Sequence, residues 1–316
     1  MIEVTVFNRT LIKKSFNEKE VERLVGSRSH YLWLNLSRFT KNDLDAIKKI
    51  FKIHPLTLED ITNSNKPKYE KFKNYIFLTL FAVKGHKEEK LVQVSFVIGK
   101  NFVLSFNKEH AEFFKVIKKD EKLKLELNRG VDFLLHSMID TLIEGYFPLL
   151  EDINAELEKL QKRILQEPTP KQLKELFEYK NKLFKMRTTV HFQRDVIGEL
   201  AKTNVPFIGA DAETYFKDIY DHLVSLGETI DSAREMIAST LEIHLSVSSN
   251  KMNEVMKILT IFATIMLPLT AVGSIYGMNF RYMPELEWKY GYFMVLGFMA
   301  LISATMLYYF KKKDWM

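Results

Sequence analysis

Polar side chains follow one face of a predicted helix that continues into a segment without charged residues. Stepping by three or four residues from Glu242 keeps side chains on one face of an α-helix. This face is polar at its start, apolar in the middle and hydroxyl-bearing at its end. Lipid offers Asn253 or Thr270 no hydrogen-bond partner, so neighbouring helices or water must meet them. The face therefore predicts either a helix-packing surface or the lining of a water-filled pore. It comprises Leu245, Ser249, Asn253, Met256, Thr260, Ala263, Leu267, Thr270 and Ser274.

Two uncharged segments near the C-terminus must position this face. Positions 258–276 and 290–310 hold no Asp, Glu, Lys or Arg. At a rise of 1.5 Å per residue, each reaches about 30 Å, the thickness of the hydrocarbon core of a bilayer. Both are therefore predicted to be transmembrane helices. Two spans in one chain cannot enclose a water path, so a pore would need several copies around an axis.

Charge around the two spans predicts the orientation of the chain. Lys251 and Lys257 precede the first span, and the three lysines at 311–313 follow the second. The connecting segment 277–289 instead balances two basic residues against two acidic ones. By the positive-inside rule, both termini are expected in the cytoplasm and the two spans in the cell (inner) membrane.

Composition argues against several classes of function. The 316 residues include 46 Lys plus Arg, 40 Asp plus Glu and no Cys, for a net charge of +6. Basic residues are interspersed with acidic ones rather than gathered in a stripe with aromatic residues, so nucleic-acid binding is not expected. Without Cys, disulfides and thiolate metal sites are excluded. Walker-type Gly-Lys spacing, HExxH and paired histidines are missing, so the chain is not expected to be an enzyme.

Residues 1–125 are predicted to form a cytoplasmic domain of mixed α and β structure. Runs of β-branched and aromatic residues separated by polar or glycine-containing turns are typical of strands. Two short helices are predicted between them, and the strand order stays open. The predicted strands are 2–7, 31–36, 75–83, 91–98 and 102–106, and the predicted helices are 40–51 and 55–61.

Residues 126–257 are predicted to form a cytoplasmic helical region. Apolar residues recur at three- and four-residue steps over 132–166 and 171–200, with a Pro-containing break between, which predicts a helical hairpin. A last helix is predicted to begin at Asp211 or Ala212 and to end at Tyr276, about 65 residues and nearly 100 Å long. The remaining parts are a first transmembrane helix at 258–276, an external loop at 277–289, a second transmembrane helix at 290–310 and a basic cytoplasmic tail at 311–316.

A short loop motif identifies a family that the chain resembles. Directly after the first predicted span the sequence reads Tyr276-Gly277-Met278-Asn279-Phe280. A Gly-Met-Asn motif at the outer end of the first of two C-terminal spans resembles the signature of the CorA family of magnesium transporters. The resemblance covers the whole chain. It implies a membrane protein that assembles in lipid as a funnel-shaped homopentamer, with an N-terminal α/β cytoplasmic domain, a long helical hairpin and stalk helix, and two C-terminal transmembrane helices.

The resemblance implies that the first spans of five chains line one central pore. Gly277, Met278 and Asn279 would form the selectivity filter at the outer mouth, where neutral oxygens can hold Mg²⁺ without removing its water. Gly277 is expected to supply the backbone angles of a loop that follows a helix, and Tyr276 and Phe280 are expected to pack around Asn279. Apolar rings below the mouth would block ions by dewetting. The implied lining is Asn253, Met256, Leu259, Thr260, Ala263, Leu267, Thr270 and Ser274.

The resemblance also implies that cytoplasmic Mg²⁺, bound between neighbouring cytoplasmic domains, closes the pore. Mg²⁺ would then be both the transported and the regulatory ion, with Co²⁺ or Ni²⁺ as further transported ions. Asp218 and Asp221 are three residues apart and share a helix face, as a bridged cation requires. No protein partner beyond copies of the chain itself is implied. The metal-binding carboxylates carried over are Glu59, Asp60, Asp140, Asp218 and Asp221.

Two other interpretations remain open. A Zn²⁺, Co²⁺ or Ni²⁺ transporter of the same fold would have the same spans, because the sequence does not fix ion selectivity. A membrane-anchored coiled scaffold or sensor would explain the long helix, but not the polar face or the Gly-Met-Asn loop. A scaffold would give no cation flux.

Overall fold

The computed structural model describes residues 2–8, 11–14, 18–27, 29–85, 90–109, 113–313 and 315. The chain divides into two compact units. The first unit comprises Met1–Lys162 and Pro170–Ser239, and the second comprises Arg163–Thr169 and Thr240–Met316.

The described part of the first unit contains a seven-stranded mixed sheet. Its strands are β1 (Ile2–Asn8), β2 (Leu11–Lys14), β3 (Tyr31–Ser37), β4 (Lys68–Lys71), β5 (Tyr75–Lys84), β6 (Lys90–Gly99) and β7 (Phe102–Asn107). Their spatial order is β2-β1-β3-β7-β6-β5-β4, and β3 runs parallel to β7 while the other neighbours are antiparallel. All five predicted strands are confirmed. The short β2 and β4 were missed because they form the two edges, where polar side chains suit a strand.

The central strands β3, β5, β6 and β7 are buried along most of their length because both faces of the sheet are covered. On β3, Leu32, Leu34 and Leu36 belong to a buried core that also includes residues of the helices α1 (Glu18–Leu24), α2 (Lys41–Phe51) and α3 (Pro55–Asn63). Trp33 points to the opposite face, where its Nε1 donates to Ser105 Oγ at 3.1 Å.

Local capping explains where two of these helices begin. Thr40 and Asp43 form a capping box, with the Asp43 N–H donating to Thr40 Oγ1 and the Thr40 N–H donating to the Asp43 carboxylate. These bonds satisfy amide groups that a helix start otherwise leaves unpaired. Pro55 occupies the first position of α3, and His54 Nδ1 accepts from the Leu56 N–H. The two predicted helices are therefore confirmed.

The helical region differs from the prediction in two places. It contains α4 (Asp120–Arg129), α5 (Val131–Glu144), α6 (Tyr146–Gln166), α7 (Pro170–Leu200) and α8 (Ala210–Tyr276). The single helix predicted over 132–166 is wrong, because Gly145 ends α5 and α6 begins at Tyr146. The helical part also starts earlier than 126, since α4 buries Leu123 and Leu127 although most of its residues are charged or polar.

A buried polar network joins the hairpin to the sheet. The Phe81 N–H donates to Gln193 Oε1 at 2.7 Å, and the Phe81 carbonyl accepts from the Tyr146 hydroxyl at 2.7 Å. Phe81 lies beyond the end of the β4 pairing, which stops at Thr79. Side chains of α6 and α7 therefore replace the missing strand partner and satisfy a backbone that would otherwise be buried unpaired. Burial raises the pKa of Tyr146, so its hydroxyl stays protonated and continues to donate.

The second unit contains the C-terminal part of α8, a short 3-10 helix (Pro284–Leu286) and α9 (Gly291–Lys312). Both α8 and α9 contain a stretch long and apolar enough to cross a membrane, and these stretches are almost entirely exposed in the single chain. The hairpin turn contributes Glu167, whose Oε1 lies 3.2 Å from Lys251 Nζ on α8.

Replacing Gln193 by Met tests the network on Phe81. Met keeps the length of the side chain but cannot accept from the Phe81 N–H, and an unsatisfied buried donor costs about 1–3 kcal/mol. We expect a lower midpoint of thermal unfolding for Gln193→Met in detergent, measured by circular dichroism. The exposed Gln166→Met is the control. An unchanged midpoint for Gln193→Met would show that water replaces the lost bond.

Candidate functional site

The polar face predicted on the first span is exposed in the single chain. Every predicted lining position from Asn253 to Ser274 is exposed. Within the first span, the opposite face of the helix is partly covered, and Ile261 is the most buried residue of this span at 8% exposure. The middle of the exposed face lies about 160° around the helix from the middle of the covered one. The covered face comprises Ile261, Thr264, Ile265, Pro268, Leu269, Val272 and Tyr276.

Hydroxyl groups on this helix donate to their own backbone. Thr260 Oγ1 donates to the Met256 carbonyl at 2.7 Å, and Thr270 Oγ1 donates to the Met266 carbonyl at 2.8 Å. A hydroxyl that donates inside the helix retains free lone pairs on its oxygen. The exposed face therefore presents acceptor oxygens, which suit the outward-pointing hydrogens of a hydrated cation.

The inner end of the exposed face borders the C-terminal tail. Asn253, Met256 and Thr260 line an open surface cavity of about 610 Å³ that Trp315 also lines. The Trp315 ring stacks on Phe310 with 5.7 Å between ring centroids. The tail thus lies beside the lining residues within the same unit.

The Gly-Met-Asn loop follows α8 directly, and Gly277, Met278 and Asn279 are all exposed. The Gly277 N–H donates to the Gly273 carbonyl at 3.1 Å, which ends the helix. Among the described glycines, positive φ angles occur at 26, 85 and 130, so the loop after α8 uses an ordinary negative φ at Gly277. A Cβ added at Gly277 would meet only ordinary contacts of 3.4 Å. Phe280 is 63% exposed, so it does not pack around Asn279 within one chain.

Two of the predicted carboxylates meet at a histidine. His222 Nδ1 lies 3.7 Å from Asp140 Oδ1, and His222 Nε2 lies 3.9 Å from Asp218 Oδ2. Asp140 is on α5, while Asp218 and His222 lie one helical turn apart on α8. Neither Asp140 Oδ1 nor His222 Nδ1 has a hydrogen-bond partner among the residues described. The sequence interpretation missed His222, although its four-residue spacing from Asp218 puts both on one helix face.

Burial shifts the proton affinity of two groups near this histidine. Desolvation raises the pKa of Asp140, and the nearby His222 opposes that rise. Desolvation also lowers the pKa of His136, which lies one turn before Asp140, while the charge of Asp218 opposes that change. A divalent cation at Asp140 would compensate the cost of its buried negative charge.

The other three predicted ligands do not join this cluster. Asp60 on α3 binds Lys68, with 2.6 Å between Oδ2 and Nζ. Glu59 and Asp221 are exposed. Among the residues that the structure describes, no three His, Asp or Glu side chains are placed to hold a metal ion together. Carboxylate oxygens are ligands that Mg²⁺ accepts, so the residues fit the ion chemically, but a single chain does not complete a site.

Replacing Asp140 by Asn tests the cost of its buried charge. A carboxyl group whose pKa is raised in the folded state contributes folding stability that is lost as pH rises through that pKa. In chelator at neutral pH, we therefore expect Asp140→Asn to unfold at a higher temperature than the unaltered chain, with the difference shrinking as pH falls towards 4. The exposed Asp221→Asn serves as the control. A lower unfolding temperature for Asp140→Asn at neutral pH would contradict this explanation.

Comparison with known proteins places these features in a family. A family described as CorA-like Mg²⁺ transporter protein matches residues 28–312. The chain is 38% identical to the cobalt/magnesium transport protein CorA of Thermotoga maritima, over 99% of this chain and 92% of that one. It is 26% identical to the magnesium transport protein CorA of Helicobacter pylori J99, over 97% and 96% of the two chains.

The fold agrees with this relationship. The complete structure of the CorA magnesium transporter from Methanocaldococcus jannaschii superposes with a TM-score of 0.85 at 22% identity, covering 100% of this chain and 99% of that one. The α/β domain, long helix and two C-terminal apolar helices predicted from the sequence are thereby confirmed, as is the expectation of a transport protein rather than an enzyme. The chain belongs to the CorA-like Mg²⁺ transporter family.

Proposed function

We propose that the chain is a divalent-cation channel that mediates Mg²⁺ uptake across the cell (inner) membrane as a homopentamer. The observation that carries this proposal is the exposed polar face of the first span, opposite the covered face. In lipid, the Thr270 hydroxyl would keep its bond to the Met266 carbonyl, but its free lone pairs would have no donor. Five copies around an axis would turn these faces towards a shared water path, and lipid would surround the rest.

The outer filter is assigned to Gly277, Met278 and Asn279. A ring of five Asn279 amides would accept hydrogen bonds from the water of hydrated Mg²⁺, an ion that dehydrates reluctantly. Arg281 and Lys289 carry positive charge in the same loop. Selection would therefore depend on amide geometry rather than on a negative loop that concentrates cations.

The pore below alternates apolar constrictions with polar steps. Met256, Leu259 and Leu267 would form rings that block ions by dewetting when the pore is narrow. Between and beyond them, hydroxyls and amides would exchange hydrogen bonds with the hydration shell. These polar and small positions are Asn253, Thr260, Ala263, Thr270 and Ser274.

Regulation is assigned to Mg²⁺ held between neighbouring copies. Asp218 is 68% exposed and can therefore reach a second chain, whereas Asp140 is partly buried behind it. Bound Mg²⁺ would neutralise these carboxylates and hold the copies together, and its loss would leave like charges to repel one another. The proposed ligands are Glu59, Asp60, Asp140, Asp218 and Asp221.

The orientation proposed from charge has both termini in the cytoplasm. The basic residues Lys311 and Lys312 end α9, and the exposed aromatic residues Tyr290, Tyr292 and Tyr308 lie at the two ends of the second span. Aromatic side chains are enriched at the two membrane interfaces, and Lys favours the cytoplasmic side. Regulatory carboxylates would then sense cytoplasmic Mg²⁺.

Two alternatives make different predictions. A Zn²⁺, Co²⁺ or Ni²⁺ transporter of the same fold would carry those ions in preference to Mg²⁺. A membrane-anchored scaffold would carry none.

Replacing Asn279 by Ala tests the filter. Purified full-length protein in liposomes with a Mg²⁺-sensitive dye inside should show Mg²⁺ influx, which Asn279→Ala should reduce roughly tenfold or more, because each lost hydrogen bond to a charged species is worth about 1.5–3 kcal/mol. The exposed cytoplasmic Asn128→Ala is the matched control. Adding Co²⁺ or Ni²⁺ outside measures competition. Absence of influx in the unaltered protein would favour the scaffold.

Replacing Asp60 or Asp218 by Asn tests the regulatory site. Each change removes one negative ligand, so a severalfold higher Mg²⁺ concentration on the cytoplasmic side should be needed to halve the flux. Glu121→Gln, an exposed carboxylate on α4, is the control. If both Asn variants close at the same Mg²⁺ concentration as the unaltered protein, the carboxylates do not sense Mg²⁺.

A further inference from the structure

One lysine forms an ion pair with a carboxylate that is assigned to Mg²⁺ regulation. Lys68 Nζ lies 2.6 Å from Asp60 Oδ2 and 2.8 Å from Glu70 Oε1, so one ammonium is shared by two carboxylates. Lys68 and Glu70 are two residues apart on the edge strand β4, so their side chains project from the same face. Asp60 meets them from the adjacent end of α3. The three side chains are only 34%, 23% and 30% exposed for Lys68, Asp60 and Glu70.

The environment favours an ion in this position. Glu70 Oε2 is buried, and within the described part of the chain it has no hydrogen-bond partner. The cluster holds two negative charges against one positive charge, so its electrostatic demand for a cation is not fully met. Hydrogen bonds from Lys68 to Asp60 and then to Glu70 raise the pKa of the lysine, which keeps the ammonium charged.

The ion pair is not needed to hold α3 on the sheet. Gln93 Nε2 donates to the Asp60 carbonyl at 2.8 Å and also contacts the Ile61 carbonyl at 3.3 Å. At the other end of α3, the Thr57 and Tyr75 hydroxyls are 3.0 Å apart, in a buried hydrogen bond. Because these bonds fix the helix backbone, the Asp60 side chain is free to exchange one cation for another.

We infer that Lys68 is a tethered competitor of Mg²⁺ at Asp60. Its ammonium pairs with the Asp60 carboxylate when Mg²⁺ is scarce and must be displaced when Mg²⁺ binds. This inference rests on the proposed regulatory role of Asp60. The tethered charge is present at a fixed local concentration, whereas Mg²⁺ binds in proportion to its free concentration. Competition of this kind raises the Mg²⁺ concentration at which the channel closes. It also prevents Asp60 from remaining an uncompensated charge in the depleted state.

Replacing Lys68 by Gln tests the competition in full-length protein in liposomes. Removal of the competitor should lower the Mg²⁺ concentration that halves the flux by about two- to fivefold, the range expected for one partly exposed ion pair. Lys68→Arg keeps the charge and should stay near the unaltered value. Lys71→Gln, on the same strand but the opposite face, is the matched control and should also stay near it.

Glu70→Gln provides an opposite prediction that does not depend on how well Lys68→Gln folds. Without Glu70, Lys68 is held by Asp60 alone and the local negative charge falls, so the half-inhibiting Mg²⁺ concentration should rise. A merely structural role would move both variants in the same direction.

The Asp60→Asn background separates failure of this inference from failure of the proposed function. If Lys68 acts through Asp60, Lys68→Gln should have no further effect in Asp60→Asn protein. If Asp60→Asn alone leaves inhibition by Mg²⁺ unchanged, the regulatory role of Asp60 fails. If Asp60→Asn weakens inhibition while Lys68→Gln does not strengthen it, the regulatory role stands and the competition by Lys68 is overturned.

Discussion

A polar group inside a bilayer must find a hydrogen-bond partner, and this requirement governs the C-terminal part of the molecule. The first span has hydroxyl side chains on one face and is partly covered on the opposite face, so its polar face is left open in a single chain. Threonine hydroxyls donate inward to the helix backbone, which leaves their oxygens as acceptors. Assembly around a water path would satisfy these oxygens without placing a charge in the membrane. In the proposed assembly, the same surface would make one copy incomplete and would let the spans remain uncharged.

The carboxylates follow a different electrostatic rule, since each either lies beside a basic side chain or is exposed. Asp60 forms an ion pair with Lys68, and the partly buried Asp140 lies beside His222. Buried negative charge is costly unless a cation compensates it. In the proposed mechanism, Mg²⁺ replaces weak internal partners by a stronger one shared between copies. α8 contains both Asp218 and the proposed pore lining, so the two proposed functions share one element.

Sequence patterns predicted the elements whose residues repeat in a regular way. The five central strands were found because both of their faces are buried, and the two spans because they lack charge. The edge strand β4 and the charged α4 were missed because few of their residues enter the core, and β2 was missed because it has only four residues. Gly145 was missed because it separates two helices that have similar apolar spacing. Two contacts, between His222 and Asp140 and between Lys68 and Asp60, join residues of different elements. Spacing along the chain therefore gave no sign of these contacts.

The orientation of the first span around a shared axis is the claim on which the account depends, and cysteine accessibility measures it directly. The chain has no Cys, so Thr270→Cys places a single thiol on the exposed face and Ile265→Cys places one on the covered face. A positively charged, water-soluble thiol reagent should abolish most Mg²⁺ flux through Thr270→Cys in liposomes and leave Ile265→Cys unaffected. Full flux through Thr270→Cys after the reagent, or equal block of both variants, would contradict a pore lined by this face.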